Sequence, residues 1–161
     1  MIPMDDAISN QAQPAMLEEY QNHRAIRPYV IQRSPQGVKV VKIPPEWTWQ
    51  REPVKQLLEC FSLEENWNSY GSRKPSEDSI LFAIDFLSAI PHVNPPRPNV
   101  VPLPSGRVQL EWRKGQRELD VEFWPDGSIE FQKEEPAGEE KKIPIFTSAH
   151  AQSLISWLIA G

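Results

Sequence analysis

A strict alternation of apolar and polar residues between positions 107 and 131 constrains the fold of this chain more than any other feature of its sequence. The apolar positions are Val108, Leu110, Trp112, Leu119, Val121, Phe123, Ile129 and Phe131. A period of two residues is typical of β-strands that bury one face and expose the other. Because short turns separate the strands, the pattern predicts an antiparallel meander whose apolar face is covered by another layer.

The register of the first two strands follows from the turn that joins them. A two-residue turn at Lys114-Gly115 would place Leu110 opposite Leu119 and Glu111 opposite Glu118. This register keeps the apolar side chains on one face, whereas a slip of one residue would move them to the other. It also predicts a like-charge pair of glutamates on the polar face.

The next turn is expected to be a three-residue loop, Pro125-Asp126-Gly127, with its glycine in the left-handed conformation. That loop would place Phe123 opposite Ile129 and Glu122 opposite Glu130. Like charges directly opposite each other destabilise a sheet unless a cation or a basic group lies between them. The polar face of the meander therefore contains a second predicted acidic pair.

Three other segments have the spacing of helices. Residues 53–65 carry apolar side chains at positions i, i+3, i+4 and i+7. A second helix is expected to start at Ser76, whose hydroxyl can cap it, and to end before Pro91. A third is expected from about Ser148, and the charged segment 133–142 is expected to be a loop.

Together these elements predict an α+β fold, an antiparallel β-meander of about three to five strands covered by two central helices and one C-terminal helix. A chain of 161 residues is long enough for one hydrophobic core. We expect residues 27–161 to form a single α+β domain. Residues 1–26 are rich in polar residues, and we expect them to be a flexible N-terminal arm.

Charge and cysteine content narrow the classes of partner and compartment. The formal net charge is −5 and the basic residues do not gather into one stripe, so nucleic-acid binding is not expected. No apolar run reaches the roughly 20 residues that cross a bilayer. The single cysteine, Cys60, excludes an internal disulfide, and its apolar neighbours predict a buried, inert thiol. These features favour a cytoplasmic protein.

The sequence has no motif that identifies an enzyme or a cofactor site. His23, His92 and His150 are far apart and none has the spacing of a metal ligand pair. The glycine-rich phosphate loop, the nucleophile elbow and the zinc-protease helix motif are all missing. We therefore expect no cofactor and favour a non-enzymatic protein.

One alternative involves the polar face of the meander, where four carboxylates lie on neighbouring strands. They are Glu111, Asp120, Glu122 and Glu130. An enzyme or ligand-binding domain could hold a divalent cation there, with Glu122 and Glu130 as the ligands, because hard cations prefer carboxylate oxygens. An ordinary solvated strand face has the same composition, however, and nearby arginines can neutralise it.

The second candidate region is the segment Asn66-Trp67-Asn68-Ser69-Tyr70-Gly71-Ser72. It resembles the N-W-D-x-Y-G-A-like motif of an uncharacterised family of short bacterial hypothetical proteins, and the resemblance extends over residues 53–131. Asn68 and Ser72 stand where that family often has Asp and Ala. The resemblance implies a bacterial protein and supplies no activity, substrate or cofactor.

Two interpretations of this segment are open. Its asparagines and glycine suit a structural turn between two helices, and its polar groups beside an indole suit a binding site. The candidate ligand-binding or partner-binding residues are Asn66, Trp67, Asn68, Tyr70 and Trp124, the last beside Pro125 on the polar face.

The leading hypothesis is a small non-enzymatic bacterial protein-binding or accessory protein with a protein partner. It could be one half of a two-gene toxin–antitoxin, immunity or mobile-element system. Small size, an acidic surface, ends that can wrap a partner and the missing catalytic motifs favour this hypothesis.

Overall fold

The structure is a computed structural model, and it describes residues 29–35, 37–90, 95–145 and 147–161. The predicted N-terminal arm, His23 and His92 lie outside the described residues. Within the described ranges, none of the helices combines the length and the apolar character that crossing a lipid bilayer requires.

The main sheet has five antiparallel strands in the order β3-β4-β5-β6-β7. Their bounds are β3 Asn99–Leu103, β4 Arg107–Lys114, β5 Arg117–Phe123, β6 Ile129–Glu135 and β7 Gly138–Pro144. A separate hairpin pairs β1, Val30–Ser34, with β2, Gly37–Lys42. Tyr29 next to β1 anchors this hairpin, because its ring lies 5.8 Å from that of Trp47 and its hydroxyl donates to Asp85 at 2.7 Å.

Three helices accompany the sheet in the part of the chain that the structure describes. They are α1 Arg51–Glu59, α2 Glu77–Ser88 and α3 Ser148–Ala160. Ser76 caps α2 by accepting from the Ser79 N–H at 3.0 Å, and Thr147 caps α3 by accepting from the His150 N–H at 3.1 Å. The α+β fold with two central helices and one C-terminal helix is therefore confirmed.

The first helix is shorter than predicted. After Glu59 the chain makes one 3₁₀ turn, Cys60–Ser62, and then becomes extended at Leu63 with φ −71° and ψ 137°. The apolar spacing of the sequence continues to Phe61, although the α-helix itself ends at Glu59.

The core lies between the helices and the apolar face of the sheet. Its largest fully buried side chains include Trp112, Phe82, Phe86, Phe123, Leu57, Ile80, Leu81 and Ile84. Phe86 on α2 contacts Trp112 and Phe123 on the sheet, with ring centroids 6.1 Å and 5.5 Å apart. Trp47 and Trp49 are also buried. Aromatic contacts thus join the two layers.

The predicted β4–β5 register is wrong by two residues. Lys114 pairs with Arg117, so Gly115-Gln116 forms the turn and Leu110 lies opposite Val121. Gly115 has a φ of +58°, and a type II′ hairpin turn takes glycine at its first central position. A slip of two residues leaves every side chain on its predicted face, so the apolar pattern could not detect the error.

The β5–β6 register is confirmed. The Trp124 N–H donates to the Ser128 carbonyl at 2.9 Å, and the Gly127 N–H donates to the Trp124 carbonyl at 3.0 Å. Gly127 has the expected positive φ, 93°. Phe123 lies opposite Ile129 as predicted.

The charged segment 133–142, predicted to be a loop, instead contains most of the β6–β7 hairpin. Glu135 pairs with Gly138 across a two-residue turn, and Lys133 forms an ion pair with Glu140 at 2.9 Å. Both faces of this hairpin are charged, so the sequence shows no alternation there. Backbone pairing and cross-strand charge pairs form the strands without an apolar face.

Candidate functional site

The loop formed by residues 66–72, between α1 and α2, has an unusual backbone. Asn66, Ser69 and Gly71 have φ values of 63°, 65° and 80°, in the left-handed region. For residues other than glycine this conformation costs roughly 1–2 kcal/mol, with asparagine among the better tolerated. The loop therefore needs specific interactions to hold it.

Two asparagine side chains supply those interactions. The Asn66 Oδ1 accepts from the Gly71 N–H at 2.7 Å, and the Asn66 N–H donates to the Ser72 carbonyl at 2.8 Å. The Asn68 Oδ1 accepts from the N–H groups of Tyr70 and Ser72 at 3.0 Å and 3.3 Å. Asparagine side chains that bond nearby backbone in this way stabilise tight turns. Both residues thus have a structural role in the loop.

The two aromatic residues of the loop differ in exposure. Trp67 is half-buried and its Nε1 donates to the Arg73 carbonyl at 3.0 Å, which ties the loop to the segment that follows it. Tyr70 is 91% exposed. Asn66 is also exposed, but its side-chain oxygen accepts from the Gly71 N–H, whereas the Tyr70 side chain makes no hydrogen bond with the described residues.

Trp124 lies at the β5–β6 turn and is half-buried. The Arg107 guanidinium carbon lies 4.6 Å from the centroid of its ring, within cation–π distance. Arg107 is itself held by the Pro104 carbonyl, which accepts from its Nε at 3.0 Å. The Trp124 indole N–H is buried and finds no acceptor among the described residues. Trp124 is therefore a packing platform for Arg107, with part of its ring exposed.

Gly106 lies between the segment that follows the 66–72 loop and the Trp124 turn. Its carbonyl accepts from the Ser76 N–H at 2.9 Å. A Cβ atom at this position would lie 3.4 Å from both the Lys74 carbonyl oxygen and the Pro125 Cγ. We use the name loop end for the three segments that meet at Gly106, residues 66–76, 104–106 and 124–128. The sequence identified two of these loops separately, but Gly106 and Arg107 were not candidates.

The Gly106 turn left one signal in the sequence. Pro104-Ser105-Gly106 has the composition of a turn. Its contact with Lys74 and Ser76 joins residues about 30 positions apart in sequence, so no local pattern could have predicted it.

On the polar sheet face, Glu122 is only 6% exposed and both of its carboxylate oxygens have basic partners. Oε2 accepts from Arg107 Nη1 at 3.0 Å, and Oε1 accepts from Lys142 Nζ at 2.5 Å. Glu130 lies opposite Glu122 in the sheet, as predicted. Two cations, one from β4 and one from β7, thus offset the negative charge of Glu122.

The other predicted acidic pair, Glu111 opposite Glu118, is wrong. Glu111 lies opposite Asp120, whereas Glu118 lies opposite Arg113. Arg113 contacts both acids, at 2.7 Å from Asp120 and 3.4 Å from Glu118. The two-residue change in register therefore replaces a glutamate pair with a cluster that contains its own cation.

No group of three or more histidine, cysteine or acidic side chains within the described ranges is arranged to hold a metal ion. The divalent-cation site at Glu122 and Glu130 stays a prediction. Titration calorimetry with Mg²⁺, Mn²⁺ and Ca²⁺ tests it, and heat that disappears in Glu130→Gln would support a site there.

Cys60 is buried and its Sγ donates to the Gln56 carbonyl at 3.5 Å. Burial disfavours the thiolate and, with a smaller contribution from the charge of Glu59, raises the pKa of Cys60 to about 11. The thiol is therefore protonated at neutral pH, as its apolar neighbours predicted, and it is a poor nucleophile.

Comparison of the chain with models of protein families, with curated proteins and with solved structures finds no match in any of the three. The geometry of the loop end and of the sheet face is therefore the basis for a functional proposal.

Proposed function

We propose that this chain is a small, non-enzymatic protein-binding protein that contacts its partner through the loop end, with Tyr70 as the anchor. The observation that carries the proposal is the 91% exposure of Tyr70 on a loop whose neighbouring side chains are bonded internally. Tyrosine is enriched in protein interfaces, and a few large aromatic residues often supply most of the binding energy.

Preorganisation of the loop supports this role. Immobilising a flexible side chain or loop on binding costs roughly 0.5–1.5 kcal/mol for each ordered side chain. Here the backbone around Tyr70 is already held by Asn66 and Asn68, so a partner would order only the tyrosine ring. A rigid loop that presents one exposed aromatic residue is suited to recognition.

The exposure of Tyr70 also stands out against the rest of the described surface. Among the described residues, the other exposed large hydrophobic side chain is that of Ile143 on strand β7, which is 37% exposed. Because it lies on the edge strand of the sheet, it provides a matched control for loss of surface apolar area.

We further propose that the protein is bacterial and cytoplasmic, and that its partner is the other half of a two-gene toxin–antitoxin, immunity or mobile-element system. The resemblance of the 66–72 segment to a motif in short bacterial proteins supports the first point. A single buried cysteine suits a reducing compartment. Small size and a net charge of −5 are compatible with an accessory protein that works through one partner.

Affinity purification of the tagged full chain from its native host tests the proposal. We expect a protein companion in near-equal amount with the wild type and with Ile143→Ala, and its loss with Tyr70→Ala. Recovery of the chain without a companion, or equal recovery of the companion with Tyr70→Ala, would contradict the proposal.

A further inference from the structure

The backbone N–H groups and the backbone carbonyl groups of the 66–72 loop differ in how many form hydrogen bonds. The N–H groups of four consecutive residues donate within the loop: Ser69 to the Asn66 carbonyl, Tyr70 and Ser72 to Asn68 Oδ1, and Gly71 to Asn66 Oδ1. The tip of the loop therefore has no free backbone donor among these four residues, and it is not suited to bind an anion through its amides.

The carbonyl groups at the same tip are used differently. Those of Ser69, Tyr70 and Gly71 accept no hydrogen bond from the described residues, and all three residues are exposed. Each carbonyl oxygen has two lone pairs that water satisfies in the free protein. A partner that covers the tip and removes this water must replace those bonds, because acceptors left unpaired in an interface oppose binding.

The side chain of Tyr70 adds a second requirement. Its ring is apolar and its hydroxyl is a donor and an acceptor, so a partner gains most when the ring enters an apolar pocket whose edge bonds the hydroxyl. The ring and the acceptor carbonyls come from three consecutive exposed residues, so a partner that covers the tip meets both.

Charge over longer distances agrees with this requirement. The chain has a formal net charge of −5, which attracts a basic surface. Arg73 and Lys74, both exposed, follow the loop. Glu64 and Glu65, also exposed, precede the loop, so these four charges balance and the net charge of the whole chain is the source of the attraction.

We propose that the partner surface is an apolar pocket for Tyr70 rimmed by hydrogen-bond donors, from Lys, Arg or backbone N–H groups. This inference rests on the protein-binding function proposed above and specifies the chemistry of that partner. An acidic partner surface, which would meet the carbonyl oxygens without donors, is the opposite outcome.

A displayed library of random 12-residue peptides, selected on the immobilised full chain, tests the inference. We expect enriched peptides to combine an apolar residue with Lys or Arg. Binding of these peptides should fall about 30-fold or more with Tyr70→Ala, as for a hot-spot residue. It should fall roughly 3- to 10-fold with Tyr70→Phe, which removes only the hydroxyl bond. Ile143→Ala should bind as the wild type does.

Three outcomes would overturn the inference: enriched peptides rich in Asp and Glu, no enriched peptides, or equal binding by Tyr70→Phe and the wild type. The native purification reports separately on the proposed function. A Tyr70-dependent native companion combined with acidic peptides would remove the donor-rimmed pocket alone. Basic, Tyr70-dependent peptides combined with a lone chain in the native host would remove the protein-binding function alone.

Discussion

The 66–72 loop and the polar face of the sheet are both clusters of polar residues, yet they differ in which side chains form internal bonds. In the loop, the asparagine side chains bond the backbone and leave Tyr70 exposed. On the sheet face, Glu122 is nearly buried and bonds Arg107 and Lys142, and Asp120 bonds Arg113.

The density of polar residues therefore does not identify a binding surface. What matters is which groups remain available after the internal hydrogen bonds and ion pairs have formed. By that criterion the loop leaves an aromatic ring and carbonyl oxygens open to solvent, whereas the most buried carboxylate of the sheet face is bonded to two cations. Substitutions in the two regions test this contrast, because each changes the free energy of unfolding by a different expected amount.

The largest loss of stability is expected for Glu122→Gln. The substitution leaves Arg107 and Lys142 facing a neutral, nearly buried group, and breaking such a pair typically costs about 3 kcal/mol or more. Urea denaturation measures the change. Glu130→Gln is the control, because it removes a carboxylate opposite Glu122 and should change stability by less than about 0.5 kcal/mol.

Equal effects of the two glutamine substitutions would contradict the stabilising role of the ion pairs at Glu122. A gain of stability in Glu122→Gln would mean that the acidic face stores repulsion, and it would revive the cation hypothesis.

A smaller loss, about 2 kcal/mol, is expected for Asn66→Ala. This variant loses the hydrogen bond from the Gly71 N–H and places alanine in the left-handed region. Asn66→Gly separates the two contributions, since glycine adopts this conformation freely. It should lose only about 1 kcal/mol. If alanine and glycine were equivalent in thermal or urea unfolding, backbone conformation would not be the reason for an asparagine here.

Arg113→Gln should cost less, at most about 1 kcal/mol, although Arg113 contacts two acids. Its side chain is 41% exposed, so water and salt screen both pairs. Unfolding measured at low and high salt should show the difference from wild type shrink as salt rises. A loss as large as that of Glu122→Gln would show that burial does not distinguish the two parts of the sheet face.

The smallest effect on stability is expected for Tyr70→Ala, within about 0.5 kcal/mol of the wild type, because an exposed ring contributes little to the folded state. Binding of the native companion should nevertheless be lost. A large loss of stability in this variant would mean that the ring supports the loop, and it would remove the contrast between a structural face and a recognition loop.

Local chemistry in the sequence determined much of the fold. The apolar face of strands β4 to β6 follows from strict alternation, the β5–β6 turn from Gly127, and the starts of α2 and α3 from the caps at Ser76 and Thr147. Each of these features depends on residues that are close in sequence, so a pattern over a few positions is sufficient to predict it.

The features that involve residues far apart in sequence depend on tertiary packing. The β4–β5 register depends on whether Gly115 is the first or the second residue of the turn, and both choices keep the same apolar face. The β6–β7 hairpin has no alternation to detect. The contact of Gly106 with Lys74, the two cations at Glu122 and the exposure of Tyr70 arise when separate segments pack together. The sequence could name the candidate groups, but packing determined which of them stayed free.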